Sequence, residues 1–439
     1  MCIRDSIDIM PNITDLPDEL LGEIVARTYA TSPETLPSLG LACKRLQRLT
    51  HPVQWEHVVL PWRLNKKSPI ARFIALHSGN ENIRSIRLQP QRSIMNAFRV
   101  GMKNAYDHLD ALCNCLGNLS KLSTFSIFLE DQVDSCCCLP GPVLARIVRA
   151  LPPSLLHLEL DTECMDRIIE EKFSRDSDDH LCLAISDHVP HLETLRLRIS
   201  CLCTDLFRSL SQATTTQSSS SLRRVFIRMD TSPGKESHLG IPVAVGDCAS
   251  PQAQRFYRGP QGGHGALVMN RLMTSLLALQ ADSVFPHLQR FILWFGGREP
   301  DASESFYRVR DIATRLITHY PKCTASGLAD WDLREFAGLK YETLIVLRDH
   351  NRRDWIGLPK SLEGALLHEV SWMESEEGVR LPPLGKPRSE ETRICEDNLV
   401  SMEYLRAKEA EQMANGQLNE SKLPNPPEWN LAKVFTKRM

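Results

Sequence analysis

An apolar triplet at positions i, i+3 and i+5 recurs along this 439-residue chain and limits its fold more than any other feature. It appears as Ile83/Ile86/Leu88, Leu122/Phe125/Ile127 and Leu155/Leu158/Leu160, then as Leu192/Leu195/Leu197, Leu222/Val225/Ile227 and Leu288/Phe291/Leu293. Tyr341/Leu344/Val346 is a weaker seventh copy. Copies up to Leu222 begin roughly 30–40 residues apart, a spacing that signals repeated supersecondary units. The gap from Leu222 to Leu288 is close to twice that, as though residues 231–266 had replaced one copy. Side chains alternate along a strand, so i+3 and i+5 share one face, while the residue at i enters from the preceding turn.

Amphipathic segments precede the triplets: Ile70–His77, Leu109–Leu116, Val143–Leu151, Leu181–Val189, Leu206–Leu210 and Leu267–Leu279. Helix, turn and half-buried strand make a unit that needs a neighbour on each side. This pattern resembles leucine-rich repeats, in an irregular form longer than the common repeat and mostly without its Asn or Cys ladder position. The resemblance implies parallel strands, helices on the outer side and a concave sheet that receives partners. The rival architecture is a doubly wound α/β domain, but no glycine-rich strand-to-helix turn accompanies these strands.

Ahead of the triplets, residues 14–62 encode about three short helices. Asp15 is placed to cap the first, Pro17 stands near its first turn, and Leu20, Leu21, Ile24 and Val25 form one stripe. Ser32-Pro33 interrupts, a second helix restarts near Glu34, and His51-Pro52 is expected to end the third. So small a bundle carries more apolar surface than it can bury alone, which implies docking. The series Leu16-Pro17, Leu20-Leu21, Ile24, Leu39, Cys43-Lys44, Leu46 and Trp55 resembles the F-box. Two departures are the stretch Tyr29–Leu36, long for a first connection, and Ala42 where the family usually has Val.

The F-box resemblance implies that these residues bind a Skp-family adaptor and, through it, a cullin-RING ubiquitin ligase, while the repeats hold a client protein. An unrelated helical cap is the alternative for this region. A scaffold that does not direct ubiquitination is the alternative for the whole chain. The expected fold class is α/β: an N-terminal three-helix F-box (14–62), an irregular leucine-rich-repeat solenoid (63–347), and a capping C-terminal region (348–439). Within the last, Trp355 and Trp372 are expected to shield the end of the array, and Asn398–Met413 to form a helix.

Polar residues between the apolar ones fall on the opposite strand face. Arg196, Arg198, Arg224 and Arg228 are expected there as a basic stripe that recognises acidic or phosphorylated client segments. The alternative is a solvated face with no dedicated ligand.

Charge and cysteine usage narrow the remaining classes. Lys plus Arg is 52 and Asp plus Glu is 54, a net charge of −2 that gives no global attraction to nucleic acid or anionic membrane. No apolar run reaches the roughly 20 residues that span a bilayer. No secretory signal is recognised, and residues 1–9 fit no pattern, with Met10 the more natural-looking start. The chain is therefore expected in the cytoplasm or nucleus, without nucleic-acid or membrane partners. The 14 cysteines include Cys136–Cys138 and the pairs Cys113/Cys115 and Cys201/Cys203, but no matched C-x(2–4)-C pairs, so no metal and no cofactor are expected. The glycines near Gly262 lack the Lys-Ser/Thr of a phosphate loop. No nucleophile elbow, metalloprotease helix or kinase set occurs, and a non-catalytic chain is expected.

Overall fold

The computed structural model describes residues 16–31, 35–64, 68–129, 139–162, 180–199, 202–212, 220–229, 263–295, 306–324, 345–348, 354–357, 399–417 and 435–438. Asp15, Cys136–Cys138, Cys201, Tyr341, Leu344, Trp372 and most of the 231–266 insertion lie outside them.

The described residues open with three helices, α1 (Asp18–Thr31), α2 (Leu36–Ala42) and α3 (Lys44–Glu56). Leu21, Val25, Leu36 and Leu46 form a small core of their own, with Leu16, Ile24, Leu39, Cys43, Leu49 and Val53 packed against it. Cys43 breaks α2 from α3 in an extended conformation, and its Sγ accepts the Leu46 amide at 3.4 Å as an N-cap. Gly40 is buried where α2 meets α3; a Cβ there would lie 2.7 Å from Thr50 Oγ1. The expected break at His51-Pro52 is not observed. α3 runs through Pro52 to Glu56, giving up one helical hydrogen bond in the interior.

A mixed α/β body follows, built on a large, mostly parallel sheet. Its strands are β1 (His57–Trp62), β2 (Ser85–Pro90), β3 (Thr124–Phe128), β4 (His157–Asp161), β5 (Thr194–Ile199), β6 (Arg224–Met229) and β7 (Arg290–Phe295). Each pairs in parallel with the next, so spatial order repeats chain order. Between them lie α4 (Pro69–His77), α5 (Arg92–Arg99), α6 (Lys103–Gly117), α7 (Gly141–Arg149), α8 (Leu181–Ser186), a 3-10 turn (Thr204–Phe207) running into α9 (Arg208–Gln212), and α10 (Gly263–Ala281). The last of these shows that the inserted segment ends in helix from Gly263, before the expected boundary at 266.

The six strong triplets lie in register. One ladder reads Val58, Ile86, Phe125, Leu158, Leu195, Val225, Phe291; the next reads Leu60, Leu88, Ile127, Leu160, Leu197, Ile227, Leu293. All belong to one core shared with the inward faces of the helices. A hydrogen-bond device repeats with them. The carbonyl of residue i+1 in each copy accepts two successive amides of the following copy. Arg84 takes Ser123 and Thr124, Ser123 takes Leu156 and His157, and Leu156 takes Glu193 and Thr194. Glu193 then takes Arg223 and Arg224, and Arg223 takes Gln289 and Arg290. Every strand entry is thus fastened to the one before, and the polar backbone of the turns is satisfied.

That device exposes a copy not recognised in the sequence. Glu56 O accepts the Arg84 amide, so Trp55, Val58 and Leu60 occupy i, i+3 and i+5 ahead of β2. Trp55 packs on the large core and stacks on His77 with ring centroids 3.6 Å apart. The third helix ends at Glu56, and His57–Trp62 forms β1 of the sheet.

The seventh triplet is corrected in the other direction. Val346 lies in β10, one of the strands β8 (Phe306–Asp311), β9 (Leu316–Thr324), β10 (Ile345–Arg348), β11 (Asp354–Gly357) and β12 (Leu399–Ser401), which pair antiparallel in sequence. Among the described residues the last parallel pairing is that of β6 with β7. Beyond β12 come α11 (Met402–Ala414) and β13 (Phe435–Arg438), the latter antiparallel to β9. Leu405 and Met402 are buried on α11 as its apolar side requires, whereas Met413 is exposed and Leu399 lies in β12.

Burial also sets an acid limit on this body. His57, at the entry of β1, has its pKa lowered from the ordinary 6.5 to about 4 by desolvation. Burial likewise lowers His77, His157 and His188. Such a group binds its proton more weakly folded than unfolded, so its contribution is full above pH 6.5 and fades as pH falls toward 4. For His57 alone the loss is on the order of 3 kcal/mol. Urea unfolding at stepped pH should show this decline, and His57→Asn should flatten it.

Candidate functional site

Two surfaces carry the residues singled out by the sequence. The first is the helical unit. Of its marked side chains, Leu21 and Leu46 are fully buried in the unit's own core, and Leu16, Ile24, Leu39 and Cys43 line that core while half-buried. Trp55 has left it for the sheet. Pro17, Leu20 and Lys44 are exposed, Leu20 at 47%. Leu41, at the end of α2, is 83% exposed; it belongs to the apolar surface of Leu39, Leu41, Cys43, Leu46 and Leu49 that the sequence shows, but not to the F-box series. Leu21 and Leu46 hold the helices together, and Leu20 and Leu41 are the large apolar side chains left outside. The frame is pinned on one side by Arg45 Nε, which lies 2.6 Å from Asp18 Oδ1 and ties α3 to the start of α1.

The second surface is the sheet face opposite the core. Its ladders are largely polar, with Phe128, Phe226 and Ile292 among them. One reads Ser85, Thr124, His157, Thr194, Arg224, Arg290; a second reads Arg87, Ser126, Glu159, Arg196, Phe226, Ile292; a third holds Phe128, Asp161, Arg198 and Arg228. Arg196 Nε lies 3.4 Å from Glu159 Oε1, and Arg198 Nη1 lies 3.5 Å from Asp161 Oδ1. Ser126 Oγ donates to Glu159 Oε2 at 2.6 Å. Arg87 stacks on Phe128 at 4.5 Å from the ring centre, and Arg196 faces Phe226 at 5.6 Å.

These groups are not an open basic stripe. The side chains of Arg196 and Arg198 are 15% and 16% exposed, and those of Glu159 and Asp161 are almost completely enclosed. Arg228 and Arg87 are also buried. Burial pushes the Glu159 carboxyl upward, against the pull of Arg196, Arg87 and the Ser126 hydroxyl. Arg224, like Arg196 and Arg198, is half-buried, and it lies at the strand-entry edge beside exposed Arg223 and Arg290. Arg223 Nε faces Glu193 Oε2 at 3.9 Å. The accessible positive charge thus sits along the entries of β6 and β7, and the inner arginines belong to a charge-paired ladder.

Among the described residues no helix is long and apolar enough to cross a membrane. Compared with family models and with curated proteins, the chain matches none.

Proposed function

We propose that the chain is a non-catalytic substrate receptor of an SCF-type ubiquitin ligase: an F-box at residues 16–56 and a leucine-rich-repeat-like solenoid over β1–β7. The observation that carries this reading is the helical unit, which closes a core of its own on Leu21, Val25, Leu36 and Leu46 while leaving Leu20 and Leu41 in solvent. A cap serving only the sheet would turn its apolar excess toward the sheet. Here the excess faces outward, where a Skp-family adaptor can bury it. The in-order parallel strands and the repeated carbonyl device support the solenoid.

Client recognition is placed at the strand-entry edge of β6 and β7. Arg223, Arg224 and Arg290 there offer planar donors to carboxylate or phosphate groups. The receptor's contribution is proximity: a captured client meets the conjugating machinery at a raised effective concentration.

Leu20→Asp should reduce capture of the Skp adaptor at least tenfold while leaving the melting profile unchanged. Each apolar side chain buried at such an interface contributes roughly 1.5–3 kcal/mol, and a desolvated carboxylate opposes docking further. Leu21→Ala should act differently, destabilising the unit by about 2–5 kcal/mol through a core cavity. Co-purification and differential scanning of the two variants separate the roles. Full capture by Leu20→Asp sinks the assignment of this face. Adaptor capture without any client whose turnover depends on the chain favours the scaffold reading.

A further inference from the structure

His180, Cys182 and Cys203 converge on the helical side of the body, where α8 meets the 3-10 turn that follows β5. His180 is the residue before α8, Cys182 lies in that helix's first turn, and Cys203 precedes the 3-10 turn in extended backbone. The imidazole and the two sulfurs all lie within 4.8 Å of one another, with both cysteines buried and His180 partly exposed. His180 Nε2 is 3.4 Å from Cys203 Sγ. Tetrahedral zinc, at about 2.3 Å from sulfur and 2.0–2.1 Å from nitrogen, holds such ligands about 3.5 Å apart.

The surroundings match the needs of a bound cation. The Cys203 amide donates to Cys182 Sγ at 3.4 Å, an interaction that favours the thiolate. On the far side of the imidazole, Nδ1 faces Asp205 Oδ2 at 3.9 Å. Carboxylate, imidazole and ligand pocket therefore stand in the order by which proteins orient a metal-binding histidine. Neither cysteine is in a disulfide. The side chains of His180 and Asp205 are 19% and 36% exposed, which leaves a solvent side for a water as fourth ligand.

We propose that Cys182 Sγ, Cys203 Sγ and His180 Nε2 bind one zinc ion, with Asp205 orienting the histidine. The ion would fasten α8 to the turn after β5, joining two consecutive repeats on the side away from the polar face. The sequence expectation of no metal arose because His-x-Cys followed 21 residues later by a single ligand matches none of the paired-cysteine spacings. The proposal is independent of the ubiquitin-ligase reading.

Cobalt(II) is the probe. Full-length chain stripped with a chelator should bind one equivalent at this site, with a sulfur-to-metal charge-transfer band and tetrahedral visible absorption, and zinc should displace it. That equivalent should be lost in Cys203→Ser and in His180→Gln, and retained in Cys113→Ser, whose thiol sits on α6. Asp205→Asn should weaken binding roughly 10–100-fold without removing it. His180→Gln decides the matter where the buried cysteine variants fail to fold, because its side chain is partly exposed. Absence of the sulfur band, its persistence in His180→Gln, or uptake of copper(I) with no cobalt or zinc would each overturn the assignment.

Discussion

Phe291→Ala is expected to destabilise the sheet body by about 3–5 kcal/mol, the range for emptying a buried aromatic site. Phe291 is fully buried on β7, at the end of the apolar ladder that begins with Val58. Its ring centre lies 5.8 Å from that of Phe207 and 6.2 Å from that of Phe285, and those two are 6.4 Å apart. The three rings close the core between the 3-10 turn, the entry of β7 and the strand itself. Aromatic contacts of this kind, edge-to-face with Phe285 and tilted with Phe207, contribute about 0.5–1.5 kcal/mol each beyond area burial, so the loss should fall toward the upper end. Chains of this kind hold only about 5–15 kcal/mol of net stability. The urea midpoint should shift strongly, whereas Val100→Ala, at a residue exposed after α5, should stay within roughly 0.5 kcal/mol of the parent. Equal midpoints for the two variants would contradict the placement of Phe291.

Glu159→Leu should be nearly as costly, about 3–5 kcal/mol, for an electrostatic reason. Glu159 is the carboxylate between Arg87 and Arg196 in the polar ladder, and its removal strands guanidinium charge in a nearly enclosed place. Replacing both partners with apolar groups of similar size should recover much of the loss, because the desolvation cost of the pair disappears with its attraction. Glu159→Leu combined with Arg196→Leu is thus expected to be more stable than Glu159→Leu alone. A double-mutant cycle in denaturant measures the coupling directly. Simple additivity would mean that the two residues do not form the pair described.

The repeat was legible because its geometry leaves few alternatives. Positions i, i+3 and i+5 must be apolar wherever a turn feeds a strand into a shared core, and six triplets from Ile83 to Leu293 met that demand. Trp55, Val58 and Leu60 meet it too, but an aromatic at i, placed inside a stretch already assigned to helices, concealed the copy. Val346 failed because apolar alternation on a short strand does not encode whether its neighbour runs parallel or antiparallel.

The inner charge pairs were missed for a different reason. Arg196 and Arg198 were read without the preceding copy, where Glu159 and Asp161 hold the same phase. Aligning Leu158-Glu159-Leu160-Asp161 with Leu195-Arg196-Leu197-Arg198 places each acid opposite a base, and cross-strand pairing follows. On the helical unit, burial separated residues that sequence alone treated alike. Leu20 and Leu21 are adjacent, yet a helix turns about 100° per residue, so one entered the core and the other faced solvent. The convergence of His180, Cys182 and Cys203 depends on tertiary placement and had no periodic signal.

Hydrogen–deuterium exchange on the full chain, with and without a Skp-family adaptor, tests the central claim most directly. Added adaptor should protect amides of α1, α2 and the start of α3, with exchange in β2 to β7 unchanged. Unaltered exchange throughout residues 16–56 at saturating adaptor, or protection confined to the sheet, would contradict it.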